Sequence, residues 1–193
     1  MRGAGATVEY YSVDVRDEQA LERLIADVRA QHGHLDGVLH GAGVIEDKLL
    51  RDKTPESFDR VFRTKVDSAF ALCRLLPLDE LKFLVFFASL ASRYGNRGQS
   101  DYAAANEVLS KLAVQLDRQL PARVFSVAWG PWAEVGMVAE LEPHLTRRGL
   151  KLISPATGPA FLIDELLLGR KGTAEIVVAG GAERLVAPVE ATG

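Results

Sequence analysis

The feature that most constrains the fold is an almost continuous apolar run, KFLVFFAS, at residues 82–89. A strand with one polar face alternates polar and apolar residues, so an unbroken apolar strand must be covered on both faces. Short stretches of similar character occur at 35–40, 122–130 and 173–181, and a β-branched and aromatic stretch occupies 7–15. We therefore predict a strand at each of these positions.

Segments with helical periodicity separate the predicted strands, at 17–33, 54–76, 100–118 and 155–168. Strands that alternate with helices favour an α/β fold with a doubly wound parallel sheet and right-handed crossovers. The 193 residues suffice for one domain. The least periodic segment, 132–154, is predicted to be a lid.

Composition narrows the class of protein. The chain is 48% apolar and 25% charged, as in globular domains, and its net charge of −3 gives no reason to expect nucleic acid or an anionic membrane as a partner. No apolar run approaches the ~20 residues that span a bilayer. The single cysteine, Cys73, points to a reducing compartment such as the cytoplasm. Histidine and cysteine do not cluster at metal-ligand spacing, so no metal site is expected.

A tyrosine at the start of the helix predicted over 100–118 is the first candidate for chemistry. Tyr102 and Asn106 are one helical turn apart and share a face, and Ser89 ends the preceding strand. Ligands of such sheets bind at the carboxyl ends of the strands. A tyrosine whose pKa is near 10 transfers protons poorly at neutral pH unless a cation stabilises the phenolate.

Lys65 is the candidate for that cation. It falls inside an apolar stripe of the helix predicted over 54–76, whose members are Phe58, Val61, Phe62, Val66, Ala69 and Phe70. A lysine in such a stripe either serves the site or extends its stem along the core and places its ammonium group in solvent. Position alone leaves both readings open.

Ser89, Tyr102 and the following residues resemble the active-site pattern of short-chain dehydrogenases/reductases. Most of that superfamily has a lysine where Asn106 stands. The arrangement here, with Lys65 on the preceding helix, is similar to the ketoreductase domains of modular polyketide synthases. The resemblance implies NADPH-dependent reduction of the β-keto group of an acyl chain on acyl carrier protein. In that reaction Tyr102 would be the acid, Ser89 would anchor the carbonyl group and Lys65 would supply the charge, with Asn106 also in the site.

The same resemblance implies which residues contact the cofactor. The segment VDVRD resembles the end of the family's third strand, HGAGV its turn after the fourth strand, and WGPW its nicotinamide-side segment. The residues expected to bind the cofactor are Asp14, Val15, Gly41, Ala42, Gly43, Lys65, Gly130, Pro131 and Trp132.

Three further positions resemble the family's markers of product stereochemistry. Where one class has an L-D-D-like triplet, this chain has Ile45-Glu46-Asp47, and where the other class has a tryptophan it has Tyr94. This combination implies a D-configured hydroxyl group, with Glu46, Asp47 and Tyr94 as stereocontrol residues. Ala104 replaces the proline of epimerising domains, so no epimerisation is expected. Glu46 and Asp47 could instead be ordinary solvated carboxylates.

The chain also departs from the family. No glycine-rich phosphate loop precedes residue 7, and the family's first two strands are missing. We therefore expect residues 1–193 to be the C-terminal portion of one ketoreductase domain, completed in cis or in trans. Alone, the fragment is expected to be poorly soluble or oligomeric and not to bind NADPH. The choice of NADPH over NADH depends on the resemblance. The alternatives are a free-standing reductase of small ketones and an inactive structural or docking module.

Overall fold

The computed structural model describes residue 3 and residues 5–135 and 151–180. Its four-stranded sheet has the order β1-β2-β3-β4 and every neighbouring pair is parallel. The strands are β1 (Gly37–His40), β2 (Phe83–Ser89), β3 (Arg123–Trp129) and β4 (Glu175–Val178). The predicted α/β fold with a parallel sheet is therefore confirmed, and the run at 82–89 forms a central strand.

Among the described residues, the four longer helices fall where the periodicity predicts them, and a helix of four residues between them was not predicted. The helices are α1 (Glu18–His32), α2 (Pro55–Leu75), α3 (Ala91–Tyr94), α4 (Ser100–Gln119) and α5 (Thr157–Leu168), with a 3-10 turn at Leu50–Asp52. The Thr54 side chain accepts a hydrogen bond from the Ser57 N–H at 3.2 Å, and Pro55 is the first residue of α2. This N-terminal cap ends the preceding loop and begins the helix.

Apolar side chains pack on both faces of the sheet. Leu84 and Phe86 lie in a cluster with residues of α1, α2 and α4. Val85, between them in sequence, lies in a second cluster with Phe125 and residues of α5. Successive side chains of a strand point to opposite faces, so an all-apolar β2 supplies both clusters. The sheet is doubly wound for this reason.

The strand predicted over 7–15 is wrong. These residues form no regular secondary structure, and Tyr10 is 85% exposed. A strand is stable only when a neighbour accepts and donates its backbone hydrogen bonds. In the part of the chain that the structure describes, β1 pairs with β2 alone and no strand lies beside residues 7–15.

The apolar stripe predicted on α2 is correct only in part. Val61, Val66 and Ala69 are buried, whereas Phe70 is 41% exposed. The buried face also contains small and polar residues, Ser57, Thr64, Lys65 and Ser68. The buried face of α2, which packs against α4, therefore combines apolar side chains with small and polar ones.

Candidate active site

Tyr102 and Asn106 occupy the first turns of α4 and are both buried. Tyr102 is 9% exposed and Asn106 is fully enclosed. The Asn106 side-chain N–H donates to the backbone carbonyl of Tyr102 at 2.7 Å. Its buried Oδ1 atom has no hydrogen-bond partner within the described residues. An unpaired buried acceptor costs free energy. Acceptors left unpaired in this way are typical of sites where a ligand or a water molecule binds.

Ser89 lies beside this pair at the carboxyl end of β2. Its neighbour across the sheet is Trp129, the last residue of β3. The Ser89 hydroxyl oxygen accepts a hydrogen bond from the Ala91 N–H at 3.2 Å. Burial raises the pKa of Tyr102, and hydrogen bonding with Ser89 and Asn106 acts against that shift. The sequence-predicted triad of serine, tyrosine and asparagine is therefore one cluster in the structure.

Lys65 enters the same cluster from α2. It is 3% exposed, its Nζ donates to the Phe87 carbonyl at 2.8 Å, and Nζ lies 5.9 Å from the centroid of the Tyr102 ring. Burial lowers the pKa of Lys65 from its ordinary 10.5 to about 8. The alternative in which the ammonium group reaches solvent is wrong.

A glycine provides the space for the Lys65 stem. A Cβ atom on Gly43 would lie 3.0 Å from Lys65 Cε and 3.5 Å from Nζ. A larger side chain in the turn after β1 would therefore press on the lysine. This close approach explains why Gly43, the second glycine of HGAGV, has no side chain, without reference to its backbone conformation.

The electrostatics of Tyr102 differ from the expectation that a lysine cation lowers its pKa. The pKa is raised, mainly because burial disfavours the phenolate, and the Asp47 carboxylate acts in the same direction. The Ser89 and Asn106 hydrogen bonds oppose both effects. In this arrangement Tyr102 is a protonated phenol at neutral pH, with a cation near its ring.

A buried polar pair joins the end of β1 to α2. His40 Nε2 lies 2.7 Å from the Ser68 hydroxyl oxygen, and that hydroxyl donates to the Thr64 carbonyl at 2.6 Å. The network assigns the proton to Nε2. Burial and the nearby Lys65 charge lower the pKa of His40 to about 4. The imidazole is neutral, and through Ser68 it connects the end of β1 to α2, three residues after Lys65.

Gly130, Pro131 and Trp132 follow β3 at the same edge of the sheet. The Gly130 N–H donates to the Val178 carbonyl at 2.7 Å, and a Cβ on Gly130 would lie 3.2 Å from that oxygen. The Trp132 ring packs 5.1 Å from the Trp129 ring. The turns after β1 and β3 thus flank Ser89, as the carboxyl ends of parallel strands require.

The structure does not bring Asp14 and Val15 into this cluster. Asp14 forms an exposed ion pair with Arg16 at 2.6 Å, which holds its pKa at about 2, and its carbonyl accepts from the Asp17 N–H at 2.9 Å. Val15 lies in the turn that follows. Because residues 7–15 are not a strand, the predicted strand end that would place these two residues at the sheet edge is absent.

Glu46 and Asp47 hold the loop after β1 against two helices. The Glu46 carboxylate accepts from the Ser57 hydroxyl at 2.8 Å and forms an ion pair with Arg60, and together these lower its pKa to about 2. Asp47 accepts from the Gln99 amide at 3.0 Å. Glu46 is therefore held by partners on α2, whereas Asp47 is an exposed residue that meets the Gln99 amide. Tyr94 ends α3 and is 76% exposed.

Sequence reasoning missed Lys53 and Asp101. Their side chains form an ion pair of 2.6 Å in which each is 1% exposed. An acidic residue in the first turn of a helix is ordinary as a response to the helix dipole, so Asp101 gave no sign of a buried partner. Lys53 stands in a polar stretch of the sequence, which predicts a side chain exposed to solvent.

Part of the predicted lid lies outside the described residues, at 136–150. At its two ends, the Ile153 N–H donates to the Pro131 carbonyl and the Ala133 N–H donates to the Ile153 carbonyl, each at 2.9 Å. These bonds join the beginning and the end of the predicted segment. Among residues 3, 5–135 and 151–180, none of the helices combines the length and the apolar character that a membrane span needs. In the same part of the chain, no cluster of three or more histidine, cysteine, aspartate or glutamate residues could hold a metal ion.

Comparison with known proteins identifies the family. Residues 1–134 match the KR domain. The chain is 36% identical over 176 residues to a polyunsaturated fatty acid synthase of Thraustochytrium sp., covering 90% of this chain and 6% of that protein. It is 39% identical over 173 residues to the polyketide synthase GfsE of Streptomyces halstedii, covering 86% and 4%. The chain therefore spans less than a tenth of these relatives.

Solved structures agree. PlmKR1, the ketoreductase from the first module of phoslactomycin biosynthesis in Streptomyces sp. HK803, has a TM-score of 0.81 and 36% identity over 92% of this chain and 40% of its own. An A-type ketoreductase from a modular polyketide synthase has a TM-score of 0.81 and 32% identity over 92% and 37%. A short-chain dehydrogenase/reductase from Brucella melitensis, 23% identical with a TM-score of 0.81, has the same fold. The chain belongs to the ketoreductase domains of polyketide synthases and covers part of such a domain.

Proposed function

We propose that this chain carries the catalytic residues of an NADPH-dependent β-ketoacyl reductase whose substrate is tethered to acyl carrier protein. The observation that supports this most directly is the buried cluster of Ser89, Tyr102, Asn106 and Lys65 at the carboxyl ends of β1 and β2. An acid, a hydroxyl donor, an amide and a cation in one place are the groups that carbonyl reduction requires.

Each residue has a separate part in the reaction. The ketone carbon gains a hydride and its oxygen gains a proton, so the product is a secondary alcohol. Tyr102 donates the proton to the developing alkoxide, while the Ser89 hydroxyl group donates a hydrogen bond that holds the same oxygen. The raised pKa keeps Tyr102 protonated before the step.

The phenolate left after proton transfer needs stabilisation in a buried place. Lys65, 5.9 Å from the ring centroid, is the cation available to it. The Asn106 amide donates to the Tyr102 carbonyl at 2.7 Å and so holds the start of α4. Its Oδ1 atom, unpaired among the described residues, is available to a proton donor such as water. Reprotonation of Tyr102 completes the cycle.

NADPH, when bound, supplies the hydride. The residues proposed to hold it are Gly41, Ala42, Gly43, Lys65, Gly130, Pro131 and Trp132. Asp14 and Val15 lie outside the cluster in this structure, and their proposed place on the adenine side requires the remaining part of the domain. Gly43 packs against Lys65 and Gly130 against Val178, so the turns after β1 and β3 both lie close to the proposed catalytic cluster, as a cofactor that reaches the Tyr102 site would require. The preference for NADPH over NADH is carried over from the family.

The proposed partner is acyl carrier protein with a phosphopantetheine-linked β-ketoacyl chain, and the remaining part of the domain joins in cis or in trans. The proposed product is the D-configured 3-hydroxyacyl thioester. Glu46 and Asp47, held by Arg60 and Gln99, would form one wall of the entrance, and the exposed Tyr94 would form another. A wall that closes one of two routes selects one face of the ketone. The cytoplasm is the proposed location.

Substitution of Tyr102 tests the activity. In the complete natural protein, Tyr102→Phe is expected to reduce kcat by about 10²–10⁴-fold, while the Kd for NADPH measured by fluorescence titration stays near the wild-type value. Lys82→Met is the control because the Lys82 side chain is 76% exposed and precedes β2, at the edge of the sheet opposite the proposed site. If Tyr102→Phe keeps more than about a tenth of the wild-type kcat, Tyr102 is not the acid.

The configuration of the product is tested separately. A β-ketoacyl thioester is reduced by the wild-type protein, and the two hydroxy products are separated by chiral chromatography. A predominantly L-configured product contradicts the D assignment without contradicting the reductase activity. If the wild-type protein gives no alcohol although it binds NADPH, the alternative of an inactive docking module is correct.

A further inference from the structure

The ion pair between Lys53 and Asp101 lies outside the proposed catalytic cluster and is wholly buried. Lys53 Nζ is 2.6 Å from Asp101 Oδ2, and each side chain is 1% exposed. Lys53 follows the 3-10 turn Leu50–Asp52, and Asp101 is the second residue of α4. The pair therefore connects the loop before α2 with the N-terminus of the helix that carries the proposed acid.

Both members of the pair make a second hydrogen bond to backbone. Lys53 Nζ also donates to the Glu46 carbonyl at 2.8 Å, and the second Asp101 oxygen accepts from the Tyr102 N–H at 2.9 Å. A continuous series of hydrogen bonds thus extends from the backbone of Glu46 to the backbone of Tyr102. It joins the proposed entrance wall to the proposed acid.

Adjacent contacts hold the same two segments together at their flanks. Asp47 accepts from the Gln99 amide, and the Lys48 N–H donates to the Gly98 carbonyl at 3.0 Å. These contacts involve the residues that precede α4. The Lys53–Asp101 pair differs from them because it reaches the helix itself at the position next to Tyr102.

Energetics favour a positional role for this pair. Removing two charges from water costs several kcal/mol for each ion, and the attraction between them largely offsets this cost. Neutral groups of similar size are often no less stable, whereas one charge left alone is strongly destabilising. Such a pair fixes the distance and the orientation between the two segments that carry it, because the charged groups must meet at one geometry.

We propose that Lys53 and Asp101 are positioning residues that set the orientation of Tyr102 relative to segment 45–47, and thereby the rate of reduction and the configuration of the product. This inference depends on the proposed reductase function. Through Asp101 the pair holds the backbone of Tyr102, and through Lys53 it holds the loop from which the Glu46 and Asp47 side chains extend.

The test compares Lys53→Met, Asp101→Asn and the double variant in the complete natural protein. Each single variant is expected to inactivate at a lower temperature than the wild type, because it leaves one buried charge unpaired. The double variant is expected to recover the wild-type inactivation temperature. It should nevertheless have a kcat lowered by between about tenfold and 100-fold, because displacement of a reacting group by about 1 Å has effects of that size.

Two further measurements separate positioning from stability. The KM for NADPH of the double variant should stay near the wild-type value, and the ratio of D to L hydroxy product should fall. The control is the exposed pair Asp59 and Arg63 on α2, whose side chains are 54% and 62% exposed. Substitution of that pair, Asp59→Asn with Arg63→Met, should leave all four measurements unchanged.

Each other outcome overturns the inference. If the double variant has the wild-type kcat and product ratio, the pair has only a structural role. If the double variant does not recover its inactivation temperature, the pair is a stability element. The proposed function holds if the wild type reduces the ketone and Tyr102→Phe does not. If the double variant then behaves as the wild type, only the inference about Lys53 and Asp101 fails. A wild-type protein without reductase activity contradicts the proposed function and the inference together.

Discussion

Replacing Lys65 by methionine should stabilise the domain at neutral pH although it removes a residue of the proposed site. Lys65 is 3% exposed, and its ammonium group makes one hydrogen bond, to the Phe87 carbonyl. Methionine has a similar length and no charge, so it can occupy the same channel beside Gly43. The substitution removes the penalty of burying the ammonium group.

The pKa of Lys65 determines the size of this effect. Burial lowers it from 10.5 to about 8, and the difference corresponds to roughly 3 kcal/mol of destabilisation while the lysine is charged in the folded state. The methionine variant leaves the Phe87 carbonyl without its partner, which costs about 1 kcal/mol. At pH 7 the net expectation is that the free energy of unfolding increases by about 2 kcal/mol.

The sign of the pH dependence follows from proton binding. Between pH 8 and 10.5 the unfolded chain keeps the lysine proton and the folded chain releases it, so wild-type stability rises with pH relative to the variant. The advantage of Lys65→Met is therefore complete below pH 8. It disappears as the pH approaches 10.5, where the lost hydrogen bond leaves the variant slightly less stable.

The assay is urea unfolding of the complete ketoreductase domain at pH 7 and pH 10, with and without the substitution. Lys82→Met is the control, since the Lys82 side chain is 76% exposed and its loss should change stability little at either pH. The reasoning is refuted if Lys65→Met is no more stable than the wild type at pH 7. It is also refuted if the difference between the two proteins does not change with pH.

Two structural substitutions give independent checks. Asp117→Ala should lower the free energy of unfolding by about 3 kcal/mol. The buried Asp117 carboxylate accepts from the Val124 N–H at 2.9 Å, and the substitution would leave that donor unpaired. Urea unfolding measures the loss, and a loss below about 1 kcal/mol contradicts the prediction. Gly158→Ala should raise the KM for NADPH with little effect on kcat, because a Cβ there would overlap the Trp132 ring and displace it. Gly3→Ala is the control, because a Cβ there meets no atom of the described residues within 4 Å. Equal KM values for Gly158→Ala and the wild type would contradict a part for Trp132 in cofactor binding.

Much of the fold could be predicted because apolar runs and helix caps are visible within short stretches of the sequence. The apolar run at 82–89 required cover on both faces, and the structure supplies it with α4 on one side and α5 on the other. The cap at Thr54 and Pro55 marked the start of α2 correctly. The stretch at 7–15 was predicted wrongly because β-branched and aromatic residues indicate only a tendency to form a strand. Whether a strand forms depends on a neighbour, and the described residues provide none.

The sequence alone determined the residue types of the site and their order, because Ser89, Tyr102 and Asn106 belong to neighbouring elements and helical spacing places two of them on one face. Tertiary structure alone decided what surrounds them. Burial of Lys65 followed from the packing of α2 against α4, and the partner of Asp101 lies 48 residues away in sequence. Spacing along a helix is a local property of the chain. Burial and charge pairing arise only when distant segments meet, and they set the pKa values on which the chemistry depends.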